Sequence, residues 1–193
     1  MTVDDGDDVD EARRQALTHF RWIEGDADVW SMLRDAASLR AIVTGLAALA
    51  AHGGPDLVVG IESRGFALAP AVAVHLGVGF VAVRKDGALF PGPLLQGETD
   101  SDYRGNRRTL SLRRDHLPPG ARLVLVDDWV ETGSQALAVT RLVREGGAEV
   151  VSLATIIDEA SETARRRLPP IHSLLRAADL PSPGRVGGNR QDD

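Results

Sequence analysis

A chain of 193 residues holds enough material for one domain with a substantial core and too little for two full-sized ones. Apolar residues at 43% and charged residues at 26% place it with ordinary globular proteins, and its net charge of −6 argues against a general nucleic-acid or membrane-surface binder. The lack of cysteine excludes disulfides and thiolate metal sites, and no apolar run approaches membrane-spanning length. The acidic start is unlike a secretory signal, so a cytoplasmic location is the expectation.

Residues 1–10 are rich in acid and poor in apolar side chains, and are expected to be disordered. A first helix is expected over 11–20, followed by a polar break at 24–28. Leu39, Ile42, Val43, Leu46 and Leu49 then recur at helical spacing between 33 and 51, and Gly53-Gly54-Pro55 ends that helix. A buried strand is read at 57–61, an apolar helix at 66–76 and a second strand at 78–83. From 86 to 106 the pattern fails; a loop this long in a compact domain is characteristic of a lid or binding loop. A short strand at 109–112 leads through Pro118-Pro119-Gly120 to a strand at 123–126 and a helix at 135–144. Beyond Gly146-Gly147 come a strand at 150–157, a short helix at 161–168 and a final strand at 171–175. Residues 181–193 read as a disordered tail, leaving a single domain over 11–180. Strand and helix alternate as in an α/β fold with a mostly parallel twisted sheet flanked by helices.

The chemistry gathers in the stretch RLVLVDDWVETGSQ, residues 122–135. Its apolar run suits a parallel strand buried on both faces. Two carboxylates, Asp127 and Asp128, close the strand, and Thr132, Gly133 and Ser134 open the next helix. Open α/β sheets bind ligands at such a rim, and free N–H groups at a helix start receive an anion. The acids can accept hydrogen bonds from vicinal sugar hydroxyls or hold hydrated Mg²⁺. Loop and acids together suit a sugar phosphate, although a solvated turn carries the same residue types. Arg64, Arg84 and Lys85 also follow strands, so the same rim offers a cationic patch to phosphate oxygens.

Gly60 through Phe66 (GIESRGF), Val83-Arg84-Lys85-Asp86-Gly87 with Pro91-Gly92-Pro93, and Val126-Asp127-Asp128 through Thr132-Gly133 resemble the type I phosphoribosyltransferases, most of all their adenine branch. The resemblance runs over about residues 20–180. It implies the type I phosphoribosyltransferase fold, with a flexible lid loop, and the transfer of ribose 5-phosphate from phosphoribosyl pyrophosphate (PRPP) to a nitrogenous base. It further implies that Glu131, Thr132, Gly133, Ser134 and Gln135 wrap the 5-phosphate, and that Asp127 and Asp128 take the ribose hydroxyls. Arg64, Arg84 and Lys85 would hold the pyrophosphate, Arg64 being counted with the catalytic residues. Asp102 and Tyr103 fall at the family's lid acid and tyrosine, Asp102 being the candidate for proton transfer at the base. Mg²⁺ would bind mainly through PRPP, with Asp127 or Asp128 reached through water, and a homodimer is implied.

The chain also departs from that pattern. Glu131 replaces a small residue, Ser134-Gln135 replaces Gly-Thr, and the lid acid is one methylene short. Asp26-Ala27 stands where the family carries a base-binding Phe-Arg, which leaves Asp26, Ala27 and Trp30, with Trp22, as candidates against the base. A purine, with adenine first, is the expected acceptor. A non-catalytic PRPP-binding regulator, or transfer to an unusual base, is the alternative.

Overall fold

A computed structural model of the chain describes residues 5–87, 89–100 and 107–182. Helix α1 (Asp5–His19) begins well before the expected start, so the segment expected to be disordered is helical from Asp5 onward. The reason is tertiary. Ala12 and Ala16, one turn apart, are fully buried, and α1 lies so close to α3 (Ala36–Ala51) that a Cβ on Gly45 would stand 2.5 Å from the Ala12 Cβ. Between them, β1 (Trp22–Ile23) and β2 (Asp26–Ala27) pair as an antiparallel hairpin about the tight turn Glu24-Gly25. Helix α2 (Val29–Arg34) is capped by Asp28, which accepts the Ser31 N–H at 3.1 Å. Asp35 caps α3, accepting from the Ala37 and Ser38 N–H groups at 3.0 and 2.9 Å.

The central unit follows: β3 (Leu57–Ile61), α4 (Gly65–Leu76), β4 (Gly79–Lys85), β5 (Leu94–Glu98), β6 (Thr109–Arg113), β7 (Arg122–Val130), α5 (Ser134–Glu145), β8 (Glu149–Asp158), α6 (Glu162–Arg165) and β9 (Ile171–Arg176). The seven-stranded sheet has the order β5-β6-β4-β3-β7-β8-β9. Its five strands from β4 to β9 are parallel, while β5 and β6 add an antiparallel edge. Side chains alternate between two cores. Val58, Val124 and Val126 pack with α1, α3 and α4, whereas Val59, Ile61, Leu123 and Leu125 pack on the face covered by α5.

Two boundaries correct the sequence reading. The aperiodic stretch 86–106 contains β5, whose Leu95 is buried and whose backbone pairs with β6 in register from Leu94↔Arg113 to Glu98↔Thr109. Only two apolar residues mark that strand, too few for a period to be seen. Strand β7 runs past Val126 through both acids to Val130, because β8 supplies partners as far as Val130↔Asp158. Residues 101–106 of the expected lid, and 183–193 of the expected tail, lie outside the described residues. Pro181 is fixed: its carbonyl accepts the Trp22 indole N–H at 2.6 Å.

The crossover β3–α4–β4 leads to one side of the sheet and β7–α5–β8 to the other, with β3 and β7 adjacent. The sheet therefore opens a crevice between the carboxyl ends of β3 and β7, the place where such sheets bind ligands.

Candidate active site

In β7 the alternation of the strand sorts the acids. Asp127 and Trp129 point one way, half-buried, while Asp128 and Val130 point the other and are buried. Asp128 Oδ2 lies 2.9 Å from Arg64 Nε, at the start of α4, yet it is buried without an aligned hydrogen bond. The Asp128 N–H in turn donates to Asp127 Oδ1 at 3.0 Å. Burial, and then the negative charge of Asp128, hold the Asp127 carboxyl well above the usual carboxylate range. Lys85 lies across the crevice. Burial pushes its ammonium down, and Asp127 opposes that shift. The two acids thus divide their work: Asp128 is neutralised by Arg64, and Asp127 faces a lysine.

Beyond β7 the chain turns through Glu131, Thr132 and Gly133 into α5. Gly133 has φ 71°, and a Cβ there would stand 2.6 Å from Leu168 Cδ1, so both backbone and space demand glycine. Ser134 N–H donates to Thr132 Oγ1 at 3.3 Å, and the two hydroxyls lie 3.2 Å apart. The first N–H groups of α5 have no intrahelical acceptor, and the helix dipole favours an anion at this end.

These parts line one cleft of about 620 Å³. The loop residues 131–135 line it, as do Trp22, Asp26 and Ala27 of the β1–β2 hairpin. Arg64, Asp127, Trp129 and Glu159 complete the lining. A smaller adjoining hollow of about 290 Å³ is lined by Glu62, Ser63, Arg64, Lys85, Asp127 and Asp128, with Trp30 on its rim. The anion-receiving loop therefore lines the larger cleft, Lys85 the smaller hollow, and Asp127 and Arg64 border both.

A family model described as phosphoribosyl transferase domain matches residues 29–176. The chain belongs to that family. It is 46% identical over 144 residues to the adenine phosphoribosyltransferase of Synechococcus sp. (strain JA-3-3Ab), covering 74% of this chain and 81% of the relative. To the mouse (Mus musculus) adenine phosphoribosyltransferase it is 38% identical over 154 residues, covering 77% and 84%. Among solved structures, adenine phosphoribosyltransferase from Rhodothermus marinus superposes with a TM-score of 0.74 at 32% identity, covering 86% of this chain and 98% of that one.

As a phosphoribosyltransferase domain, the molecule brings together most of the residues picked out from its sequence. Asp127, Asp128, Arg64, Lys85 and residues 131–135 share the groove, and Asp26 and Ala27 border it. Arg84 stands apart from its expected partners. Its Nε lies 2.9 Å from Glu62 Oε2, its guanidinium sits 5.9 Å from the Phe66 ring centroid, and it lines neither hollow. The pairing also holds the Glu62 carboxyl below its usual range, with a second bond at 3.0 Å from the Lys85 N–H. Asp102 and Tyr103 lie outside the described residues. Sequence reasoning missed Trp129 and Glu159. The signal for Trp129 was its position two residues beyond Asp127, which puts both on one face of an extended β7.

Proposed function

We propose that this chain transfers the ribose 5-phosphate of PRPP to a purine base, adenine first among them, and releases pyrophosphate. The observation that carries the reading is a pair of adjoining hollows: the α5 phosphate loop lines the first, Lys85 and Asp128 line the second, and Asp127 and Arg64 border both. PRPP has a phosphate and a pyrophosphate joined by a ribose. The similarity to proteins named adenine phosphoribosyltransferase supports the choice of base.

In this mechanism the N–H groups at the start of α5 and the Thr132 and Ser134 hydroxyls bind the 5-phosphate. Asp127 and Asp128 accept from the ribose hydroxyls and fix the sugar against the strand ends. Arg64 and Lys85 stabilise the charge that develops on the departing pyrophosphate as the C–O bond breaks. The anomeric carbon becomes oxocarbenium-like, and the base nitrogen, with the base held beside the hairpin residues, attacks it. Asp102 is assigned proton transfer at the base.

The residues suit Mg²⁺. The half-buried Asp127 carboxylate, which lines both hollows, is a hard oxygen donor, and no cluster of three or more His, Cys, Asp or Glu among the described residues forms a cage of its own. Mg²⁺ would bind mainly through PRPP, with Asp127 or Asp128 reached through water. Bound Mg²⁺ supplies charge neutralisation to the pyrophosphate. We place the protein in the cytoplasm as a homodimer. Among the described residues no helix is long and apolar enough to cross a membrane.

The test is pyrophosphate release from PRPP and Mg²⁺ over a panel of purines, pyrimidines and related heterocycles, alongside calorimetric PRPP binding. Release with a purine supports the transferase. PRPP binding without release for any base would instead identify a regulatory PRPP-binding protein.

A further inference from the structure

Part of the cleft lining, next to the hairpin, lies outside the residues assigned to phosphate and ribose. Trp22, Ala27 and Trp129 all pack, partly exposed, against the same apolar core. Both indole N–H groups are engaged: Trp22 donates to the Pro181 carbonyl at 2.6 Å, and Trp129 donates to Glu159 Oε2 at 2.9 Å. The rings therefore offer faces and no donors. Glu159 is fixed at both ends, since its own N–H donates to the Val130 carbonyl at 2.8 Å while its carboxylate takes the indole. The turn beneath it is held in turn by Asp158, which accepts the Ala160 N–H at 3.0 Å. Glu159 Oε1 has no such tie to Trp129. Asp26, beside Ala27 on the hairpin, brings a second carboxylate to the lining.

A wall of ring faces and carboxylate oxygens accepts hydrogen bonds and donates none. An exocyclic amine on a stacked base would find an acceptor there. An oxo group in the same place would point its lone pairs at a carboxylate and leave both unpaired, the kind of mismatch on which a polar site discriminates most strongly. We propose that Glu159, positioned by the Trp129 indole, is the residue through which this protein selects an amino-substituted base over its oxo counterpart. The inference rests on the reading that the cleft takes a purine, and adds to it the side chain that chooses among purines.

The test uses the product nucleotides, so that it does not depend on turnover. Affinities of AMP and IMP are measured by calorimetry for the wild-type protein, Glu159→Gln and Trp129→Phe. The wild type should prefer AMP. Glu159→Gln exchanges a charged acceptor for a group that can donate to an oxo oxygen, and should lower the AMP/IMP preference about ten-fold or more. Glu159 is exposed, so the melting temperature should be unchanged. Trp129→Phe keeps a ring face but frees the carboxylate, and should lower the preference part of the way. An AMP/IMP ratio unchanged in Glu159→Gln, with both nucleotides bound, overturns this inference alone. Failure of the wild type to bind either nucleotide overturns the purine-transferase reading, and this inference with it.

Discussion

Arg64 Nε and Asp128 Oδ2, 2.9 Å apart, join the loop after β3 to the end of β7 across the crevice. The pair does two things at once: it neutralises a buried acid, and it aims a guanidinium into the hollow assigned to pyrophosphate. Arg64→Gln would strand the Asp128 carboxylate. The expected loss is about 1–3 kcal/mol, toward the lower end because the Arg64 side chain is more than a third exposed. Adding Asp128→Asn should recover the melting temperature without recovering PRPP affinity. Thermal melts and calorimetry on the single and double variants separate these roles. Recovery of both would mean that Arg64 serves only the fold.

Asp127 should trade stability for function. Its folded-state carboxyl is raised, chiefly by burial and then by Asp128, so it favours folding only below its ordinary value near 3.8. That contribution is lost as the pH rises through the folded-state value, and at neutral pH the charged group is a net cost. Asp127→Asn is therefore expected to raise the melting temperature at pH 7, and the gain should close as the pH falls toward 3.8. PRPP binding should be lost in the same variant. A melting temperature that falls at pH 7 would contradict the burial argument.

Lys85 lines the pyrophosphate hollow, whereas Arg84 is held by Glu62 over Phe66. Lys85→Ala should weaken PRPP by about ten-fold or more while changing ribose 5-phosphate little. Arg84→Ala should have a smaller effect on PRPP. The reverse order in a titration series would indicate that Arg84 leaves Glu62 when the ligand arrives.

Gly133→Ala introduces a side chain at φ 71°, with its Cβ 2.6 Å from Leu168 Cδ1. The strain and the displaced loop should cost on the order of 1 kcal/mol in stability and weaken PRPP and ribose 5-phosphate equally, since both carry the 5-phosphate. Selective loss of PRPP alone would place the 5-phosphate elsewhere.

Asp102→Ala should lower turnover by about 10²-fold or more, as expected for loss of a general acid–base group, with PRPP affinity unchanged. Single-turnover kinetics beside calorimetry make the distinction. Normal turnover would remove Asp102 from the mechanism.

Much of this molecule is written locally. The run Leu57–Ile61 is a strand because each of its residues is apolar or small and both faces meet a core, so the reading matches the observed bounds. The pair Asp127-Asp128 and the step Thr132-Gly133 were legible for a similar reason. A sugar-phosphate site needs acids beside a glycine turn at a helix start, and those residues are consecutive in the chain.

The tertiary structure decided the rest. The acidic segment at 5–10 is helical because it continues a helix whose Ala12 packs against Gly45 of α3, and β5 is a strand because β6 lies beside it. Arg84 and Lys85 are neighbours in sequence, yet in a strand they diverge, so one meets Glu62 and the other the crevice. Trp129 and Glu159 are thirty residues apart and meet because β7 and β8 are paired to their ends. Composition and period report what a segment can become. Which side chains share a cleft is fixed by strand register and by the order of strands in the sheet, and those are set by packing over the whole chain.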